Sequence, residues 1–135
     1  MTARSHQATG WHLLADLSGM ATTALWQMNQ LETLLLESAQ AAGARVLSCH
    51  FHAFETGQGV TGVALLAESH ISIHTWPEEG FAAVDIFMCG GSDPTRALQV
   101  IQTALKPTTS SVRLLRRGGG KISLLESTNS RGLSQ

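Results

Sequence analysis

The chain has 135 residues, which is enough for one domain with a substantial core but too few for separate cofactor and substrate domains. Nine basic and ten acidic side chains give a formal charge of -1, so the composition does not favour nucleic acid as a partner. No stretch is long and apolar enough to cross a bilayer, and the first residues lack a signal-peptide pattern, so we expect a cytoplasmic protein without membrane contact.

The first six predicted elements are one helix and five strands. Residues 10–17 form the first strand. The helix begins at Asn29, which makes a capping-box-like pair with Glu32, and it ends at Gly43. Four extended runs follow, separated by glycine-containing turns or short breaks: 45–54, 60–67, 70–75 and 81–89.

A second helix and a last strand complete the predicted fold. Asp93 is the N-cap of this helix, Pro94 takes its first position, and the strand covers residues 110–117. Residues 118–135 are mostly small and polar, which predicts a flexible tail after a single domain of residues 1–117. We therefore expect a two-layer α/β sandwich of the α+β type, with a mainly antiparallel sheet and two helices on one face.

The sequence WPEEG joins two of these strands in a predicted hairpin. Pairing polar side chains across the hairpin sets His70 opposite Asp85. The same register brings Cys89 to the end of the hairpin at which Ser69 lies. A straight strand would turn Ser69 towards the apolar face, so we expect a strained backbone turn at the Glu68–Ser69 bond.

Histidines on one face of a sheet also permit a metal site. His50 and His52 share one strand face, and His70 or His74 could add a further nitrogen ligand. Because the H-x-H spacing is common in strands, ordinary sheet histidines are the favoured interpretation, and we expect no metal. A Ser-His-Asp hydrolase is disfavoured, since the G-x-S-x-G elbow is absent.

The segment ESHISIHTWPEEGFAAVDIFMCG, residues 68–90, closely resembles the processing and active-site segment of the small prokaryotic S-adenosylmethionine decarboxylases. Three further segments are similar to other parts of that family: GWHLLADL, AAGARVLSCHFHAF and GVTGVALLAESH. The resemblance implies a self-cleaving, pyruvoyl-dependent decarboxylase that acts on a small molecule and forms a homodimer of cleaved protomers. Its product, decarboxylated S-adenosylmethionine, would serve polyamine (spermidine) synthesis.

The resemblance also implies where the chain is cut. The Ser69 hydroxyl would attack the preceding carbonyl, and cleavage between Glu68 and Ser69 would leave chains 1–68 and 69–135. The second chain would begin with a pyruvoyl group derived from Ser69, which forms a Schiff base with the substrate. An imine conjugated to this carbonyl delocalises the electrons that remain when carbon dioxide leaves.

Five further residues receive roles from the resemblance. His74 would accept a proton during processing, a task suited to a group that titrates near neutrality. Cys89 would donate a proton to the product carbon, since a thiol with a pKa of about 8.5 is protonated at neutral pH. Glu78 would bind the ribose of the substrate, and Phe54 and Trp76 would cover it. Cys89 is one of two cysteines, both interpreted as free thiols.

Four residues depart from the family pattern: Trp11, Asp16, Ser18 and Thr61. The first three lie in a segment that helps to form the pocket in the family. Arginine or ornithine therefore remains an alternative substrate, and a catalytically inactive partner subunit is a third interpretation. Thr61 keeps the hydroxyl of the serine that it replaces.

Overall fold

The computed structural model describes residues 8–131, which form one seven-stranded sheet and two helices. The strands are β1 (Thr9–Ser18), β2 (Val46–Ala53), β3 (Val60–Leu66), β4 (Ser69–Trp76), β5 (Phe81–Met88), β6 (Thr109–Gly118) and β7 (Ser123–Arg131), and the helices are α1 (Met28–Ala41) and α2 (Pro94–Leu105). Short 3-10 turns occupy Thr22–Leu25 and Pro77–Glu79. Neither helix in this part of the chain is long and apolar enough to cross a membrane.

All neighbouring strands in the sheet are antiparallel, in the order β2-β3-β4-β5-β1-β6-β7. The helix α1 leads from the inner strand β1 to the edge strand β2, and α2 leads from β5 to β6. The helices pack against each other and against strands of the sheet. The expected α+β sandwich with both helices on one face is confirmed.

The hydrophobic core lies between the helices and one face of the sheet. In β1 the side chains of Leu13, Ala15 and Leu17 are at most 2% exposed, whereas Leu14 is 42% exposed. This alternation is the period-2 pattern of a strand with one covered face. Burying each large apolar side chain contributes about 1.5–3 kcal/mol. The opposite face, which we call the open face, carries most of the polar residues of β1, β4 and β5.

The start of α2 agrees with the prediction, and the start of α1 does not. The Asp93 side chain accepts a hydrogen bond of 2.9 Å from the backbone amide of Thr95, as expected of an N-cap. The helix α1 begins at Met28, and Gln27 is its N-cap without a side-chain hydrogen bond. The predicted capping box is wrong because Asn29 already lies inside the first helical turn, where its backbone cannot adopt the extended N-cap conformation.

The strand β7 occupies residues for which a flexible tail was predicted. It pairs with β6 from Thr109–Arg131 to Arg116–Ser123. All side chains of β7 after Ser123 are exposed, so no hydrophobic alternation marks it as a strand. Pairing with the backbone of β6 overrides the polar composition. The tail prediction is therefore wrong for residues 123–131, and residues 132–135 lie outside the described part of the chain.

The hairpin of β4 and β5 differs from the predicted register by two residues. His70 pairs with Phe87, and Ser72 takes the position opposite Asp85. The connection between the strands causes this shift in register. The strand β4 continues to Trp76, and the turn closes through Gly80, which has a left-handed φ of 62°. A shift of two residues keeps every side chain on its predicted face.

Candidate active site

The turn between β3 and β4 holds the bond at which cleavage was predicted. Leu66 and Ser69 pair directly, so Ala67 and Glu68 alone form the turn. Glu68 has a φ of 62°, in the left-handed region that costs a residue with a Cβ about 1–2 kcal/mol. The expected strained turn is confirmed, and the strain adjoins the predicted cleavage bond.

A hydroxyl and a thiol lie beside this turn. The Cys89 Sγ donates a hydrogen bond of 3.4 Å to the Glu68 carbonyl oxygen. The Ser69 Oγ donates one of 3.4 Å to the Ala67 carbonyl oxygen, one peptide before the carbonyl that it would attack. The structure thus brings Glu68, Ser69 and Cys89 together, and we call these residues the cleavage-bond group.

The electrostatic environment of Cys89 keeps its thiol protonated. Burial raises the pKa of the Cys89 thiol, and the negative charge of Glu68 raises it further. Both effects act in the same direction because each disfavours the thiolate. At neutral pH the side chain therefore carries the proton that a general acid must donate.

A second group of residues lines an open cleft at the other end of β4. The cleft has a volume of about 640 Å³, a size typical of small-molecule sites, and it includes Phe54, Thr61, His74, Trp76 and Glu78. The Thr61 Oγ1 and His74 Nδ1 atoms are 3.2 Å apart. The centroids of the His74 and Trp76 rings are 6.4 Å apart. We call these five residues the cleft group.

The two groups are far apart within one chain. His74 lies five positions after Ser69 along the extended strand, which is about 16 Å at about 3.3 Å per residue. Direct proton transfer needs heavy atoms at about 3 Å. The structure therefore brings His74 together with the predicted substrate-binding residues but not with the Ser69 of its own chain.

A carboxylate on the open face accepts hydrogen bonds from three side chains. The Asp85 Oδ2 is 2.7 Å from His12 Nε2 and 2.8 Å from His70 Nε2, and its Oδ1 accepts a hydrogen bond from Ser72. Burial alone would raise the pKa of Asp85, but the hydrogen bonds from His12, His70 and Ser72 outweigh burial and hold it well below its ordinary value. We call these four residues the Asp85 cluster.

The sequence did not reveal the part that His12 takes in this cluster. His12 comes from β1, which lies next to β5 although 73 positions separate His12 from Asp85. Strand alternation placed His70 and Asp85 on one face, but no local pattern shows which distant strand lies beside β5. A histidine in the first predicted strand was the one available signal.

The histidines suggested as metal ligands by the sequence do not come together, because His50 and His52 have other neighbours. His50 is 3.1 Å from the Ser48 hydroxyl, and His52 packs edge-on against Phe54. Within the described residues, the possible ligand atoms that come within 4.8 Å of one another belong to His12, His70 and Asp85. Neither His50 nor His52 is part of this group.

Hydrogen bonding within the Asp85 cluster also disfavours metal binding. The Arg117 Nη1 donates to His12 Nδ1 at 2.9 Å, and arginine has no acceptor atom. The Nε2 of His12 must then carry a hydrogen, which it donates to Asp85. A metal-bound histidine instead uses a nitrogen without a hydrogen and donates from the other one.

The departures from the family pattern fall in different places. Trp11 lies on the helix-facing side of β1 and stacks against Arg116 at 5.1 Å, away from the cleft. Asp16 and Ser18 line a separate, smaller depression that includes Phe81, whose ring is 5.5 Å from Trp76. Of these positions only Thr61 belongs to the cleft itself, and it keeps a hydroxyl beside His74.

Comparison with known proteins gives one consistent result. A family profile described as S-adenosylmethionine decarboxylase matches residues 11–118. An S-adenosylmethionine decarboxylase proenzyme from Persephonella marina is 44% identical over 110 residues, which cover 81% of this chain and 82% of the relative. The crystal structure of the adenosylmethionine decarboxylase from Aquifex aeolicus has a TM-score of 0.76 at 38% identity and covers 85% of this chain and 95% of that one.

A more distant structural likeness shows the fold alone. The Trypanosoma brucei AdoMetDC monomer has a TM-score of 0.59 at 17% identity. The match covers 78% of this chain but 45% of that longer one. The strand β7 lies beyond the residues that the family profile matches.

Proposed function

Because the chain belongs to the S-adenosylmethionine decarboxylase family, we propose that it is a proenzyme that cuts itself between Glu68 and Ser69 and then decarboxylates S-adenosylmethionine. Members of this family are pyruvoyl-dependent lyases, and their product enters polyamine synthesis. The cleavage-bond group supports the proposal most directly, because a strained peptide, a hydroxyl and a protonated thiol meet there.

The proposed cleavage converts an amide into an ester before the chain separates. The Ser69 hydroxyl attacks the Glu68 carbonyl carbon, and the peptide C–N bond breaks as the new C–O bond forms. A base then removes the α-proton of residue 69, the Cβ–O bond breaks, and Glu68 leaves as a carboxylate. Water releases the nitrogen as ammonia and leaves the pyruvoyl group. Separation relieves the left-handed conformation of Glu68.

The described residues fit the chemistry that follows. The pyruvoyl group supplies a carbonyl that takes up the electron pair left by carbon dioxide. Cys89 holds the proton for the product carbon. Phe54 and Trp76, which are 53% and 40% exposed, provide aromatic surface for the substrate, and the Glu78 carboxylate can accept hydrogen bonds from ribose hydroxyls.

A homodimer accounts for the separation of the two groups of site residues. His74 is about 16 Å along the strand from its own Ser69, so we propose that it serves the Ser69 of a second copy. The open face carries exposed apolar side chains that a second copy could cover, among them Leu14, Leu65 and Trp76. Processing would then require two chains.

Intact-mass analysis and a substrate assay test the proposal together. We expect two chains from the wild type and one from Ser69→Ala, while the control Ser127→Ala, in exposed β7, cleaves normally. Labelled carbon dioxide should come from carboxyl-labelled S-adenosylmethionine in preference to arginine or ornithine. An active enzyme that remains one chain would refute self-cleavage. A preference for arginine or ornithine would refute only the substrate.

A further inference from the structure

Self-cleavage would leave the catalytic residue at a chain end. Ser69 is the first residue of β4, and the turn through Ala67 and Glu68 holds it to β3 only while the chain is intact. Strand ends without such a connection fray. Displacing a reacting group by about 1 Å can lower the rate about 100-fold. The mature enzyme therefore needs another means to hold residue 69.

The next residue along the chain is fixed by a side-chain contact. The His70 Nε2 lies 2.8 Å from the Asp85 carboxylate, and Ser72 donates to the other oxygen of that carboxylate. Two side chains at the beginning of β4 are thus bound to the middle of β5. Hydrogen bonds to a charged acceptor are roughly twice as strong as bonds between neutral groups.

The same carboxylate connects the two product chains. His12 lies in residues 1–68, whereas His70, Ser72 and Asp85 lie in residues 69–135. His12 is held in its donor tautomer by Arg117, whose guanidinium also lies 5.3 Å from the Phe87 ring centroid. The His12 contact therefore joins chains that no longer share a peptide bond.

We propose that Asp85 is a positioning residue that holds the cut end of β4 in place after the Glu68–Ser69 bond is broken. The proposal rests on the proposed self-cleavage. It assigns Asp85 a role in the mature enzyme that is larger than its role in the precursor. In the precursor the turn already fixes Ser69, whereas in the mature enzyme the Asp85 cluster takes over this task.

The test compares Asp85→Asn in two backgrounds, the cleaved wild type and the uncleaved Ser69→Ala. Asparagine keeps the size of the side chain but removes the charge on which three donors converge. In the cleaved enzyme we expect the amides of residues 70–73 to exchange hydrogen about 10–100-fold faster. In Ser69→Ala the change should be less than about threefold. The kcat should fall about 10–100-fold with little change in KM.

A control and a milder variant complete the experiment. Asn129→Ser removes a contact to Arg113 within one product chain, and it should affect both backgrounds equally. Ser72→Ala removes one of the three donors to Asp85, so its effects should have the same direction as those of Asp85→Asn but be smaller. If Asp85→Asn does not fold, Ser72→Ala provides the test of the proposal instead. The proposal would be overturned if Asp85→Asn accelerated amide exchange equally in both backgrounds or left kcat unchanged. A folded variant that stays uncleaved would overturn it as well. A wild type that remains one chain by mass would overturn self-cleavage as well.

Discussion

At the scale of single residues, the proposed cleavage would change the group that the Cys89 thiol contacts. The Cys89 Sγ lies 3.4 Å from the Glu68 carbonyl oxygen, and the proposed cleavage would turn that oxygen into part of a carboxylate. Burial and the Glu68 side chain already raise the thiol pKa. A second negative charge at the same place would raise the thiol pKa further, because it also disfavours the thiolate. The proposed reaction that forms the pyruvoyl group would thus also keep the proposed general acid, Cys89, protonated.

The pH dependence of alkylation should report this change. In a Cys49→Ala background, we expect iodoacetamide to modify Cys89 with a midpoint at higher pH in the cleaved enzyme than in Ser69→Ala. Because a raised pKa keeps the thiol protonated up to higher pH, decarboxylation should persist through neutral pH and decline only as the thiol ionises. Identical midpoints in the two proteins would contradict the expected rise in the Cys89 pKa on cleavage.

The ribose contact assigned to Glu78 can be tested against its neighbour. Glu78→Gln should lower kcat/KM for S-adenosylmethionine by about 10–150-fold, since a hydrogen bond to a charged group contributes about 1.5–3 kcal/mol. Glu79→Gln is the matched control, because Glu79 lies in the same turn but does not line the cleft. Steady-state kinetics of both variants decide the matter. Equal losses would indicate a general effect of charge.

The proximity of Ser69 and Cys89 could be predicted from the sequence, whereas the contact of His12 with Asp85 could not. A hairpin brings its two strand ends together whatever the exact register, so Cys89 falls near Ser69 even with an error of two residues. The contact of His12 with Asp85 depends on a pairing between distant strands. Such pairing is decided by the packing of the whole sheet, which no local pattern contains.

At the scale of elements, alternation and capping predicted every strand with a buried face and the start of α2. They failed where side chains carry little information. The strand β7 is exposed along its length, and the first turn of α1 has no side-chain cap. In both places backbone hydrogen bonding and tertiary packing set the structure. Local sequence preference is too weak to oppose them.

The strand β7 should be dispensable for processing. It lies beyond the residues that match the family profile, and its side chains bury little surface. A chain that ends at Gly118 should fold and cleave itself, with a lowered melting temperature because the edge of β6 loses its partner. Mass spectrometry and thermal unfolding would measure this, with a chain that ends at Arg131 as the control. Failure of the shorter chain to cleave would show that β7 belongs to the site.

At the scale of the whole molecule, the two separated groups of site residues predict complementation between inactive chains. His74→Ala should not cleave alone, and Ser69→Ala cannot. When the two are produced together, the Ser69 of one chain meets the His74 of the other, so the His74→Ala chain should be cut. Intact mass identifies which chain is cleaved. If neither chain is cut in the mixture, the shared site is refuted.

The position of β1 has a consequence for how the mature enzyme can form. After the proposed cut, β1 belongs to the first chain, yet it lies between β5 and β6 of the second. Folding is an event within one molecule for the precursor, but it becomes an encounter of two molecules for the cut chains. We expect Ser69→Ala to recover its sheet on dilution from denaturant, and the cleaved enzyme to recover poorly at low concentration. The lifetime of the active enzyme would then depend on how slowly its sheet opens.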